Sequence, residues 1–254
     1  MNYKNFFCFT LLLLLGGASC KTGKPDYFLF YQQAQVLPVT LQEGGGGIDT
    51  TLLQLIAPYK DSLDKQMNEI VAYATVDFMK RDSVDALGRM IAKQVLSWAN
   101  DSLNAQADIS LFNRSGFRTS IYQGEVTLGK VYQVMPFDNS LVIASLTAEG
   151  VREMLNYLGR RKEPVAGMEM TMIGDKVIQV KVNGELLDET RTYRVLTSDY
   201  LYNGGSRMDF FQQSTAVKAM PILLREAILK AFQRSGRLLP IEEAVYRQDN
   251  QTVN

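Results

Sequence analysis

Two aromatic residues, Phe137 and Tyr200, stand beside residues that bind polar groups: Asn139 follows the first, and Gly204-Gly205-Ser206 follows the second. Ahead of them lie Asn113 and Arg118, separated by a turn at Gly116, and further back Arg81. Rings in such places could stack on a flat heteroaromatic group, while amides and hydroxyls hydrogen-bond a neutral polar edge. Arginine grips an anion because its planar fork donates two parallel hydrogen bonds and never loses its charge. A ligand carrying a flat ring, hydroxyls and an anionic group would use all three. Taken singly, each residue has a plainer role: Phe137 as a core plug, Arg81 as a solvated helix terminus, Asn203-Gly204-Gly205 as a turn.

The chemistry that the chain lacks is equally informative. It contains no histidine, so a Ser-His-Asp triad is excluded. Asp199, Asp209 and the scattered glutamates form no cluster with metal-ligand spacing, and no motif points to paired-carboxylate glycoside chemistry. Lys plus Arg and Asp plus Glu balance at 27 each; a nucleic-acid binder would carry a basic excess.

The elements that must position these residues follow from pattern. From Asp49, Leu52, Leu53, Leu55, Ile56, Leu63, Met67, Ile70 and Val71 fall near helical spacing, with Pro58 as a break or kink. Val84, Leu87, Ile91, Val95 and Trp98 predict a second amphipathic helix capped by Asp82 or Ser83. Ala107 to Phe112 reads as a short buried strand that delivers the chain into the Asn113 to Arg118 loop, and loops at strand ends are where sites are built. Val131 to Val134 and Leu141 to Leu146 read as strands on either side of Pro136, which leaves Phe137 in an interruption. Thr147 caps a helix ending at Gly159. Met168–Ile173, Val177–Val182 and Tyr193–Ser198 read as strands, with turn signals at Gly174-Asp175 and Asn183-Gly184. Pro221 opens a final helix, Ile222 to Phe232, that stops by Gly236. The expected fold is α+β: one domain with a mixed, mostly antiparallel sheet flanked by helices.

At the N-terminus, Lys4, the apolar run Phe6 to Leu15 and Gly16-Gly17-Ala18-Ser19-Cys20 read as a signal peptide over residues 1–19. The apolar run is too short to cross a bilayer, which takes about 20 residues. Cys20 is one of two cysteines and the other, Cys8, lies inside the removed segment, so Cys20 is free for acylation. The expectation is a lipoprotein tethered to a bacterial membrane on the periplasmic side. Residues 20–47, with four consecutive glycines at 44 to 47, read as a spacer. Residues 48–254 read as the domain, and Tyr27–Tyr31 and Gln35–Thr40 as candidate edge strands.

The set Asn113-Arg114-Ser115-Gly116-Phe117-Arg118, Pro136-Phe137-Asp138-Asn139 and Tyr200 with Asn203-Gly204-Gly205-Ser206 resembles the C-terminal, substrate-binding domain of the 5'-nucleotidases over about residues 48 to 245. Asn113 and Arg118 match the family's Asn-x-x-Gly-Ile-Arg motif, Phe137 and Asn139 its Pro-Phe-x-Asn motif, and Tyr200 its second stacking ring. Arg81 falls where a phosphate-contacting arginine is expected ahead of Leu87-Gly88. Ser206 departs from a ribose-binding aspartate, exchanging a charge-assisted bond for a weaker neutral one, and Arg89 and Lys93 replace an Asn and an Asp of the preceding helix. The resemblance implies a nucleotide or nucleoside ligand bound by Arg81, Asn113, Arg118, Phe137, Asn139, Tyr200, Gly204, Gly205 and Ser206. It also implies that the divalent metals sit in a separate metallophosphatase domain, so that this chain itself carries no cofactor and acts with a metallophosphatase subunit in nucleotide catabolism or scavenging. The alternative is a non-catalytic binding or scaffold lipoprotein with a degenerate site.

Overall fold

The computed structural model describes residues 50–80, 85–241 and 245–249. The expected signal peptide, Cys20, the glycine spacer, the candidate edge strands, Arg81, and the caps Asp82 and Ser83 lie outside the described residues.

A five-stranded sheet forms the centre, in the order β10 (Ala216–Leu223), β4 (Ser140–Leu146), β9 (Tyr193–Ser198), β2 (Ile109–Leu111) and β5 (Val165–Ala166). Its neighbours are antiparallel except β2 and β9, which are parallel. Strand side chains alternate between faces, and here both faces are covered. Leu141 and Ile143 of β4 and Leu196 of β9 join one core, with Leu87, Met90, Ile91 and Val95 of helix α2 (Ala86–Leu103) and Ile228 and Phe232 of helix α6 (Leu224–Ser235). Ala144 and Leu146, with Ile109, Leu111, Tyr193 and Val195, point into a second core against helix α4 (Ala148–Arg161). Ser110 is the polar residue of β2 and is fully buried; its hydroxyl donates to the Ala92 carbonyl at 2.9 Å, which removes the cost of burying it unpaired.

The second core is closed by a four-stranded sheet of β12 (Tyr246–Gln248), β6 (Met168–Ile173), β7 (Lys176–Val182) and β8 (Glu185–Leu186). The β7–β8 hairpin turns at Asn183 and Gly184, both at positive φ (51° and 85°), as an Asn-Gly turn of this kind requires. A third small sheet pairs β1 (Ile70–Ala74) with β3 (Gly124–Thr127) and β11 (Arg237–Leu238). Among the described residues, six of the nine strand pairings are antiparallel. The mixed, mostly antiparallel α+β architecture is the expected one.

Four local expectations are corrected. Helix α1 (Thr50–Met67) runs through Pro58, and Ile70 and Val71, read as helical, belong to β1, where pairing with β3 buries Val71 and exposes Ile70. Val131 to Val134 is not a strand but the end of helix α3 (Leu128–Val134): the Thr127 hydroxyl accepts the Lys130 N–H, and Val131 and Val134, three residues apart, both reach the core. Pro221 does not open the last helix; it lies in β10, an edge strand whose pairing shifts register between Ala219 and Leu223, where a missing N–H costs least. Thr147 caps α4 as expected, accepting from Gly150 N, but the helix passes Gly159 and ends at Lys162 in the left-handed region.

Gly159 is instead a packing position: a Cβ there would lie 2.2 Å from the Asp175 carbonyl oxygen in the β6–β7 turn. Gly159→Ala is therefore expected to destabilise the fold by about 1–3 kcal/mol as an overpacked contact. The check is urea unfolding, with a lower midpoint at unchanged slope; an unmoved midpoint would show that the turn gives way freely.

Candidate ligand-binding site

Strand directions decide which loops meet. Because β2 runs parallel to β9 and both neighbours of β4 oppose it, the chain leaving β2, the chain leaving β9 and the chain entering β4 emerge at one end of the central sheet. Leu141 pairs with Ser198, and Ser140 with Leu223, so the start of α6 arrives there too. A cavity of about 290 Å³ opens at this end, walled by Asn113, Ser115, Gly116, Arg118, Met135, Phe137, Asn139, Ser198, Tyr200 and Leu224. A larger cleft of about 540 Å³, between α2 and the β6–β7 hairpin, includes Lys93, Asp101, Glu169 and Lys181 but no aromatic ring among the described residues. Of the two, the smaller cavity gathers five of the residues singled out by sequence, Asn113, Arg118, Phe137, Asn139 and Tyr200.

Two large rings on its wall are exposed, Phe137 by 40% and Tyr200 by 49%. The Arg118 guanidinium lies 5.7 Å from the Phe137 ring centroid, and its backbone N–H is tied to the Val134 carbonyl at 2.8 Å. Among the described residues, Arg118 is the one charged side chain on the wall. Asn113 donates through Nδ2 to the Ser115 hydroxyl (2.8 Å) and the Ser206 hydroxyl (3.0 Å). Its amide oxygen rests against Gly116, where a Cβ would intrude to 2.7 Å. Asn139 Nδ2 donates to the Asp199 carboxylate at 3.3 Å, and the same oxygen accepts the Tyr200 N–H at 2.7 Å. Asp199 thus joins the segment carrying Phe137 to helix α5 (Asp199–Tyr202), which carries Tyr200 and is capped by the Ser198 hydroxyl.

Gly204, Gly205 and Ser206 are not on the cavity wall. Gly205 packs behind Tyr200: a Cβ there would lie 2.5 Å from both the ring and the carbonyl of Tyr200. Ser206 sits in the left-handed region at φ 57°, and its carbonyl accepts the Tyr157 hydroxyl at 3.0 Å. Burial, then the nearby Glu163, pushes that phenol up to about 12, so it remains a donor. The structure therefore brings together Asn113, Arg118, Phe137, Asn139 and Tyr200, and places the Gly-Gly-Ser run as their support.

Sequence reading missed the residues that hold the site. Ser198 and Asp199 read in retrospect as a helix N-cap pair, and Leu224 gave no polar signal at all. Glu163 is the least legible. Its carboxylate accepts the Arg114 N–H at 2.7 Å, next to Asn113, while the Arg114 guanidinium reaches Asp85 at 3.2 Å and the Lys162 carbonyl at 2.8 Å. The Tyr246 hydroxyl donates to the Glu163 carbonyl at 2.7 Å. Among the described residues, no group of three or more His, Cys, Asp and Glu side chains could hold a metal ion.

With this geometry in view, the relatives are informative. The sequence profile of the 5'-nucleotidase, C-terminal domain, matches residues 70–213. The trifunctional nucleotide phosphoesterase protein YfkN of Bacillus subtilis (strain 168) is 32% identical over 184 residues, covering 64% of this chain and 12% of its own length. A 5'-nucleotidase of Vibrio vulnificus (strain CMCP6) is 32% identical over 170 residues, covering 62% of this chain and 29% of its own length. The 5'-nucleotidase precursor of Thermus thermophilus shares the fold at a TM-score of 0.66 and 23% identity, across 80% of this chain and 44% of that one. Fold and profile thus define an α+β domain of the 5'-nucleotidase C-terminal type. The chain belongs to the 5'-nucleotidase C-terminal domain family, and it spans less than a third of the length of these two curated relatives.

Burial raises the Glu163 carboxyl above its ordinary value, partly offset by the Arg114 N–H and charge and reinforced by Asp85. A raised folded value means that the native state holds this proton more tightly than the unfolded chain. Its contribution is fully present below the unfolded value and is lost as pH rises through the folded one. Glu163→Gln keeps an acceptor for Arg114 and removes the titration. Its stability relative to wild type should therefore improve as pH rises across the weakly acidic range, then level off, as measured by urea unfolding at stepped pH. A difference independent of pH would contradict the assignment.

Proposed function

We propose that this chain is the nucleotide-gripping component of a 5'-nucleotidase-type hydrolase system. The observation that carries this reading is the pair of exposed rings, Phe137 and Tyr200, on the wall of one cavity whose single charged side chain, among the described residues, is Arg118. The rings stack on the base, Asn113 and Asn139 bond its edge or the sugar, and Arg118 attracts the phosphate; Arg81 joins it from outside the described residues. Gly204, Gly205 and Ser206 shape the tyrosine side of the site. Hydrolysis falls to a separate metallophosphatase subunit that supplies divalent metals. Residues 1–19 act as a lipoprotein signal, Cys20 carries the lipid, residues 20–47 form the spacer and residues 48–254 the domain, which puts the pair at the cell envelope on the periplasmic side.

A second reading, a binding or scaffold lipoprotein without a catalytic partner, is favoured by one feature. Ser206 offers the ligand no charge, and its hydroxyl is already engaged by Asn113.

Calorimetric titration of the full chain with AMP should give saturable binding. Each base stack is worth about 1–3 kcal/mol, so Phe137→Ala and Tyr200→Ala should each weaken binding roughly 5- to 150-fold. Wild-type binding that survives in the double variant, or no binding at millimolar AMP, would contradict the clamp. Phosphate release from AMP should require the metallophosphatase partner; efficient metal-dependent release by this chain alone would exclude the two-subunit reading.

A further inference from the structure

Phe137 is half exposed and follows a proline, so its ring needs an anchor other than core packing. The anchor is on α6. Arg225, in the first turn of that helix, donates from one guanidinium nitrogen to the Phe137 carbonyl at 3.3 Å and from another to the Asp138 carboxylate at 2.6 Å. The guanidinium also lies 4.4 Å from the ring centroid of Tyr132 on α3, the helix that leads into the Phe137 segment. One residue earlier, the Leu224 N–H donates to the Asn139 carbonyl at 2.8 Å, and the Leu224 side chain lines the cavity. Three consecutive residues of the Phe137 segment are thus bonded to two consecutive residues of α6.

Arg225 is an unusual choice for a surface helix. Its side chain is only 12% exposed, whereas its carboxylate partner Asp138 is 75% exposed, and its Nε is buried with no hydrogen-bond partner among the described residues. An exposed ion pair contributes little to stability, and an unpaired buried N–H costs free energy. A role in folding alone is a poor account of this arrangement. The geometry suits holding a loop: the planar fork reaches a carbonyl and a carboxylate at once while its face stacks on a ring, a combination that lysine cannot reproduce.

We infer that Arg225 is a positioning residue for the ligand site, fixing the Phe137 ring in its stacking orientation without itself touching the ligand; it is absent from the cavity wall. The effect on binding rests on the nucleotide reading proposed above, but the effect on the ring does not.

A double-mutant cycle tests it, with AMP as the probe and the full chain titrated by calorimetry. Arg225→Gln should weaken AMP binding about tenfold, within the range of coupling between residues in contact. In a Phe137→Ala background the same change should cost less than about twofold, because the ring through which it acts is gone. Equal losses in both backgrounds, or no loss in either, would overturn the inference. Arg225→Lys should recover part of the affinity through Asp138 and separates charge from geometry. A ligand-free readout keeps the two claims apart: in protein carrying 13C-labelled phenylalanine, the Phe137 ring signal should shift and broaden in Arg225→Gln at an unchanged unfolding midpoint. An unmoved ring signal overturns the positioning role whatever AMP does. A displaced ring in a protein that never bound AMP would support the role and sink the nucleotide reading instead.

Discussion

The register between β4 and β9 is the constraint on which the site depends. Six residue pairs, from Leu141 with Ser198 to Leu146 with Tyr193, fix these two central strands. With β4 antiparallel to β9, the residues just before one strand and just after the other are neighbours, and this is why Asn139 meets Asp199. A one-residue slip would send Leu141 and Ile143 to the face now held by Ala144 and Leu146, unpacking both cores. The register is therefore enforced by burial on two sides, and the site inherits its precision from the core. The parallel β2 strand adds Asn113 to the same end, and β10 adds Leu224 and Arg225.

Around this constraint the polar groups are arranged in a wall and a supporting layer. The wall presents rings, amides and the Arg118 guanidinium to the cavity. Behind it, Asp199 ties Asn139 to α5, Ser206 holds the Asn113 amide, and Gly205 lets Tyr200 lie against the backbone. On the far side of the Asn113 loop, Arg114 lies between two acidic groups, Asp85 and Glu163. Asp85 is buried while Arg114 and Glu163 are only partly so, and a buried charge is expensive unless paired and bonded. They locate the loop rather than stabilise it cheaply, which suits a region that must hold an asparagine in one orientation.

Much of this was legible in the sequence because local chemistry and tertiary structure agree. Asn183-Gly184 names its own turn, Thr147 its own cap, and the apolar spacing of α2 its buried face. The misreadings share a cause. Val131 to Val134 looks like a strand because valine favours strands, yet Thr127 and the three-residue spacing of the two valines make it a helix. Pro221 looks like a helix start, but the helix begins three residues later because pairing with β4 claims Ala216 to Leu223 first. At the site, the residues that face the cavity carry recognisable side chains, whereas those that hold them do not. Glu163, Asp199 and Arg225 act across 49, 60 and 88 positions of sequence, and no local pattern reports contacts at that range.

The account stands on one claim: that the end of the central sheet grips a nucleotide between Phe137 and Tyr200. Intermolecular proton–proton contacts measured by NMR on the full chain saturated with AMP test it most directly. The account predicts nuclear Overhauser contacts from the adenine ring protons to the aromatic protons of both Phe137 and Tyr200. Saturable AMP binding with contacts to neither ring would contradict it and move the site elsewhere on the molecule.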